Sequence, residues 1–286
     1  MENYEILRVI NNNVILVKEQ SKQMELVLIG KGLGFSKRPG TNAFLEKKQI
    51  EKCFLAYDNK NKNEYLSLID QLDDNIIEVC SEIILLAEKT MGKLSHKLHI
   101  VLTDHIGFAI ERIKNNLEIS NPFIYEIKNL YPEEYKIGLI AQKMIMQNVG
   151  IKINEDEIGF IALHLNAAKQ NKEVKDALKS TIVIKKLVST IENGLCKKID
   201  NDLAYNRLIN HFRGSIERAQ KNICVNNPLI DTVKNELDKY YSIALKVGSI
   251  VREELGVDMS EGELGYLAIH IDRINRVLEE KHAADN

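Results

Sequence analysis

The sequence has no run of about 18 consecutive apolar residues, the length a helix needs to cross a bilayer. Its amino terminus carries Glu2 and Glu5 where a secretory signal would place basic residues and then an apolar stretch. Neither export nor membrane insertion is expected, and the expected location is the cytoplasm. The four cysteines, at 53, 80, 196 and 224, contain no C-x-x-C pair. That spacing offers no disulfide framework and no thiolate metal site, so they are expected as reduced core thiols. A net charge of −2 gives no chain-wide attraction for a polyanion. Gly30 and Gly32 lack the third glycine and the following helix of a dinucleotide fingerprint, so no cofactor is implied.

What charge imbalance exists is local. Residues 1–60 hold ten Lys/Arg against seven Asp/Glu, whereas the remainder is acidic. In that segment Tyr4 to Ile10, Val14 to Lys18 and Met24 to Ile29 are rich in Val, Ile and Leu and are broken by polar turns, which predicts an antiparallel meander. A run at Lys52 to Tyr57 could supply its last strand. Val14 to Val17 is apolar on both faces of a strand, and so small a unit has little core of its own. A homodimer covering the second face would resolve both facts. Between the strands, the stretch from Gly30 to Arg38 combines glycines that allow close backbone approach with Lys31, Lys37 and Arg38 for phosphates and Phe35 for stacking. Asn13 could read a base edge. The same residues could equally be a tight glycine turn with solvated lysines and Phe35 in the core. With Arg8 and the local basic excess added, RNA or another single strand is the favoured ligand.

The rest of the chain is written twice. Leu102-Thr-Asp104-His105 and its continuation to Arg112 recur as Leu208-Ile-Asn-His211 to Arg218, an offset of 106 residues. Glu157 and His164 recur as Glu263 and His270 on the same offset, and Asn121-Pro122 as Asn227-Pro228. A period this long belongs to a duplicated domain, since stacked solenoid repeats run to roughly 20–50 residues. Three domains are expected: 1–60, 64–170 and 171–280, joined by polar linkers at 58–64 and 169–175. Leu66, Ile69, Leu72, Ile76 and Val79 recur at helical spacing. Asn121-Pro122 reads as a helix start, and Asn154-x-x-Glu157 and Ser260-x-x-Glu263 as capping boxes. The fold class expected is a small antiparallel β domain followed by two all-α bundles of about five helices each.

His105 and Arg112 lie two helical turns apart on one face, as do Glu157 and His164, and the second copy repeats both spacings. Each bundle should therefore bring together two histidines, a carboxylate and a guanidinium. Asp104 is a candidate to fix a ring tautomer, with Asn210 in its place in the second copy. Structural histidines are one reading. A metal-dependent hydrolase is another, although each copy offers only two matched histidines. A phosphoacceptor pair needs only a neutral, reachable imidazole nitrogen, which this pattern supplies.

The stretch from Arg8 to Val14, with Leu28 to Phe35, resembles the co-antiterminator RNA-binding domain of the BglG/SacY/LicT family of transcriptional antiterminators. The two repeats resemble the phosphotransferase-system regulation domains of that family. Thr103 to Ile106, Asn121-Pro-Phe and Tyr131 to Tyr135 are most similar to its glucose-type (GlcT) branch. The resemblance implies a protein that is not an enzyme: a homodimer that grips a hairpin in a leader mRNA and prevents terminator formation. Arg8, Asn13, Gly30, Lys31 and Phe35 would contact RNA. His105, His164, His211 and His270 would carry phosphate from HPr or a sugar-specific enzyme II. Asn210, and Leu237 to Tyr241 where the first copy has Tyr131 to Tyr135, are departures that set the second repeat apart from the first.

Overall fold

The computed structural model describes every residue except 1, 23, 31, 51, 56–67, 69–70, 200–201 and 285–286. Lys31, Leu66, Ile69, Tyr57 and the expected linker at 58–64 lie outside the described residues. The chain divides into two compact units, Met1–Ile124 with Tyr131–Ala177, and Tyr125–Leu130 with Leu178–Asn286.

In the first unit, strands β1 (Glu2–Val9), β2 (Val14–Glu19), β3 (Met24–Ile29), β4 (Asn42–Leu45) and β5 (Lys52–Leu55) form one antiparallel sheet in the order β4-β1-β2-β3-β5. The meander is as expected, and β4 is an addition. With only four residues, its alternation of exposed and buried positions is too short to stand out, although it buries Ala43 and Leu45. Side chains of a strand alternate between faces. Tyr4, Ile6, Ile15, Val17, Leu26 and Leu28 therefore close one core beneath Leu33.

The intervening residues Val14, Leu16, Val27 and Ile29 build a second apolar face, which is the one a homodimer was expected to cover. In this chain Ile77 of helix α1 (Asp74–Met91) packs into it, flanked by the half-buried Leu72, Leu85 and Ile100. The second face is thus covered without a second copy. Helix α1 can do this because apolar side chains surround much of it. Ile77 serves the sheet, while Ile76, Val79, Cys80, Ile83, Ile84 and Ala87 are also buried along its length.

Among the described residues nine further helices follow: α2 (Leu98–Lys114), α3 (Ile124–Leu130), α4 (Pro132–Val149), α5 (Glu155–Lys169), α6 (Val174–Leu195), α7 (Asp202–Gln220), α8 (Ile230–Glu236), α9 (Asp238–Leu255) and α10 (Glu261–Ala284). The described residues of each repeat thus hold five helices, in line with the about five expected. In the first unit α1 packs on α2 and α4, and α5 on the same two; in the second, α10 packs on α7, α8 and α9. Asn121 does not cap a helix. Its side chain accepts from the Phe123 amide, and α3 begins only at Ile124; Asn227 does the same before α8. Among the cysteines only Cys80 is in the core, while Cys53, Cys196 and Cys224 are free and exposed. A lone cysteine gives no periodic signal by which its burial could be read.

Because Ile77 joins the sheet to the bundle, Ile77→Ala should destabilise the first unit by about 2–5 kcal/mol. Denaturant unfolding would measure it, with faster amide exchange in β2 and β3 as the local sign. A loss under about 1 kcal/mol, with unchanged exchange, would show that the sheet does not depend on this contact.

Candidate functional site

The turn Asn11-Asn12-Asn13 and the glycine loop are locked to each other. The amides of Gly30 and Gly34 donate to the carbonyls of Asn13 and Asn12 at 2.9 and 2.8 Å. A Cβ on Gly30 would lie 2.1 Å from the Gln49 carbonyl oxygen, and one on Gly34 2.0 Å from that of Asn11. No larger residue fits either place, and Gly32 sits at φ +71 where side chains are strained. Phe35 rides on this loop with 70% of its surface exposed, so it is not a core residue. Arg38 is exposed, Lys37 and Arg8 are half-buried, and Arg8 follows an irregularity in the β1–β2 register. The Asn13 side-chain Oδ1 accepts from the Gly32 amide at 2.8 Å, and its Nδ2 donates to Glu78 of α1 at 2.7 Å. Sequence reasoning missed Glu78 and the exposed Phe44. Glu78 was invisible because nothing in the pattern places α1 beside the turn.

In the first repeat α2 carries His105 and Arg112, and α5 carries Glu157 and His164, as the spacing predicted. The His105 Nε2 lies 3.1 Å from a Glu157 carboxylate oxygen, and Arg112 donates to the other oxygen at 2.8 Å. The His105 and His164 rings are 4.8 Å apart at a 32° tilt, with Phe160 edge-on to His105. Asp104 is half-buried and, among the described residues, makes no hydrogen bond or ion pair with either histidine. The carboxylate at the ring is Glu157. The capping boxes are accordingly half formed. Asn154 accepts from the Glu157 amide at 3.0 Å, but the Glu157 side chain turns to His105 and Arg112 and does not cap back.

The second repeat builds the same set from α7 and α10, with one change. Arg218 donates to Glu263, and the His211 and His270 rings are 4.6 Å apart. Ser260 caps the Glu263 amide at 3.3 Å. Between His211 and Glu263 stands the fully buried Ser215, 3.3 Å from the His211 Nε2 and donating to Glu263 at 2.6 Å. Ser215 was overlooked in the sequence, although the repeat alignment shows it opposite Ala109. A cleft of about 410 Å³ opens here, lined by His211, Arg218, Val225, Glu263, Tyr266 and His270.

Burial raises the Glu157 carboxyl, but His105 and Arg112 outweigh it and hold the group below the usual carboxylate range. Glu263 is lowered in the same way by Arg218 and Ser215 against its burial. Burial, then the neighbouring His105, pushes His164 down to about 3; burial, then His270, pushes His211 down to about 4. Burial, then Arg273 and Arg207, lowers His270. At neutral pH these three rings are therefore neutral and hold a lone pair, the state a phosphoryl acceptor requires.

The depressed histidines have a measurable consequence. As pH falls below 6.5 the unfolded chain binds a proton at each position, while folded His164 does not until about 3 and folded His211 until about 4. Stability is then fully present above the unfolded value and is lost as pH falls through that window, by up to about 1.4 kcal/mol per pH unit per histidine. Thermal unfolding at about pH 7 and about pH 5 should show both units less stable in acid. The dependence should weaken in the first unit of His164→Ala and the second of His211→Ala. Equal dependence in these variants and the parent would assign it elsewhere.

Comparison with known proteins agrees with this architecture. A CAT RNA binding domain model matches residues 4–63, and a PRD domain model matches 81–168 and again 185–274. The GlcA/glcB genes antiterminator of Staphylococcus carnosus is 36% identical over 96% of this chain and 97% of its own. Transcription antiterminator LicT of Bacillus subtilis is 35% identical over 94% of this chain and 98% of its own. A crystal structure of GlcT CAT-PRDI, 36% identical, superposes with a TM-score of 0.53, covering 59% of this chain and 99% of that one. A glycine-locked β module followed by a duplicated histidine bundle is thus what these relatives share with it: the chain belongs to the BglG/SacY/LicT family of transcriptional antiterminators, in which a CAT RNA binding domain precedes PRD domains.

Proposed function

We propose that a homodimer of this chain grips a leader-mRNA hairpin in the cytoplasm, keeps the terminator from forming, and is controlled by histidine phosphorylation from the sugar phosphotransferase system. HPr and a sugar-specific enzyme II are the phosphate donors. The observation that carries this reading is the paired, adjacent histidines beside a glutamate–arginine ion pair, built twice in a chain that also holds an RNA-binding domain. The antitermination half rests on the family; the control by phosphate rests on this geometry.

A metal hydrolase is less well supported. The one carboxylate at each histidine pair is already engaged by a guanidinium, and among the described residues no three His, Cys, Asp or Glu side chains gather as a metal site requires.

Arg8, Asn13, Gly30, Lys31, Phe35, Lys37 and Arg38 are the residues we assign to RNA, with Phe35 stacking on a base. Phosphate on His105 would add about −1.5 to −2 of charge beside Glu157 and compete for Arg112. That strain bears on α2, then on α1 packed against it, and α1 holds both the sheet through Ile77 and Asn13 through Glu78. The same charge would loosen the dimer and so lower the local concentration of paired RNA-binding domains.

Phe35→Ala should weaken binding of leader RNA by about 1–3 kcal/mol without unfolding the sheet, read by fluorescence anisotropy against circular dichroism. Binding by the parent should fall steeply with salt. Unchanged affinity in the variant would take Phe35 out of the interface. In a terminator-readthrough reporter, His105→Ala should be active without inducing sugar; a variant that stays silent would reverse the sign of control assigned to this site.

A further inference from the structure

The two histidine sites differ in what stands between the first histidine and the glutamate, Ala109 or Ser215, and comparing them there identifies the reacting atom. In the first repeat the Nε2 of His105 and a Glu157 carboxylate oxygen are both completely buried and lie 3.1 Å apart, an ion-pair distance rather than an aligned hydrogen bond, and neither atom has another hydrogen-bond partner among the described residues. Turning the ring over would set a carbon–hydrogen edge against that carboxylate, so the nitrogen that carries the proton is the inward one. Ala109, two residues short of Glu111 on the same helix, leaves room for the direct approach and offers no polar group of its own.

In the second repeat Ser215 occupies the matching place. A hydroxyl has one hydrogen and two lone pairs. The hydrogen goes to Glu263 at 2.6 Å, and Arg218 donates to the oxygen at 3.3 Å. The remaining contact, His211 Nε2 at 3.3 Å, can only be one in which the ring donates. Two different partners thus impose one tautomer: the proton on Nε2, the lone pair on Nδ1.

We infer that Nδ1 is the phosphoryl-accepting atom of both His105 and His211, and that Ser215 is the positioning residue that secures this in the second repeat. The inference deepens the proposed function and rests on its reading of these histidines as acceptors. In the step, the Nδ1 lone pair forms the new nitrogen–phosphorus bond to a phosphohistidine of the donor protein. The donor's nitrogen–phosphorus bond breaks, and its electron pair returns to the donor ring. The Nε2 proton stays in place, so the acceptor ring becomes positively charged. In the first repeat that charge faces Glu157 directly; in the second it reaches Glu263 through the Ser215 hydroxyl.

The test uses the full chain. Ring-¹⁵N histidine NMR should show His105 and His211 protonated at Nε2, and Ser215→Ala should mix the His211 tautomers while leaving His105 unchanged. That pattern is not what a merely structural serine would produce. Next, His164→Ala/His270→Ala protein is phosphorylated with phospho-HPr and separately with phosphoramidate, and the phosphohistidine isomer at each remaining site is identified after alkaline digestion. The Nδ1 isomer at both sites is expected, and Ser215→Ala should slow labelling of His211 several-fold. The Nε2 isomer at His105 or His211, or a His211 tautomer indifferent to Ser215→Ala, overturns the inference. Nδ1 labelling by phosphoramidate with none from phospho-HPr would support the atom assignment while removing HPr as donor. No labelling of either site by either reagent would remove both.

Discussion

Glu157 and Glu263 are each only 2% exposed, and a carboxylate so deeply buried costs several kcal/mol unless its charge is met on every side. The fold meets it with a guanidinium two turns along the partner helix, with a histidine on that same helix at Glu157 and the Ser215 hydroxyl at Glu263, and with its own position in the first turn of α5 or α10, where the helix dipole favours negative charge. These demands fix much else. They set the seven-residue spacing on α2 and α7, bring α5 against α2 and α10 against α7, and place the second histidine two turns further along the same face. The two imidazoles of each site, tilted and 4.8 or 4.6 Å apart, follow from that placement.

The duplicated bundles were legible in the sequence because an uninterrupted offset of 106 residues made each histidine testify for its counterpart. The helices and the four partners at each site, two histidines, a glutamate and an arginine, followed from periodicity, whereas Ser215 did not. Asp104 misled because adjacency in sequence is not adjacency on a helix: consecutive residues point about 100° apart, so the neighbour of His105 turns away while Glu157 arrives from another element. The capping boxes misled for a related reason. A glutamate three residues after the cap satisfies the local pattern, and only the tertiary partners reveal that its side chain is used elsewhere.

The sheet was legible in three strands and less so in the rest. The run from Lys52 was read as a last strand and is β5, whereas β4, four residues long, is too short to show its period. What the pattern could not supply was the occupant of the second apolar face. Alternation shows that Val14, Leu16, Val27 and Ile29 must be covered, but not by what, and a helix of the same chain satisfies the hydrophobic demand as well as another copy would.

The glycine loop was read for close backbone approach, and in place it is tightly constrained. Gly30 and Gly34 are pressed against carbonyl oxygens, both amides are spoken for, and Phe35 is held out in water by a backbone with nowhere else to go. A side chain presented in advance loses little freedom when it meets its partner, so capture proceeds at the pace of encounter and does not wait for rearrangement. In a chain with a CAT RNA binding domain, that rigidity means the partner is met by a surface already in its final shape.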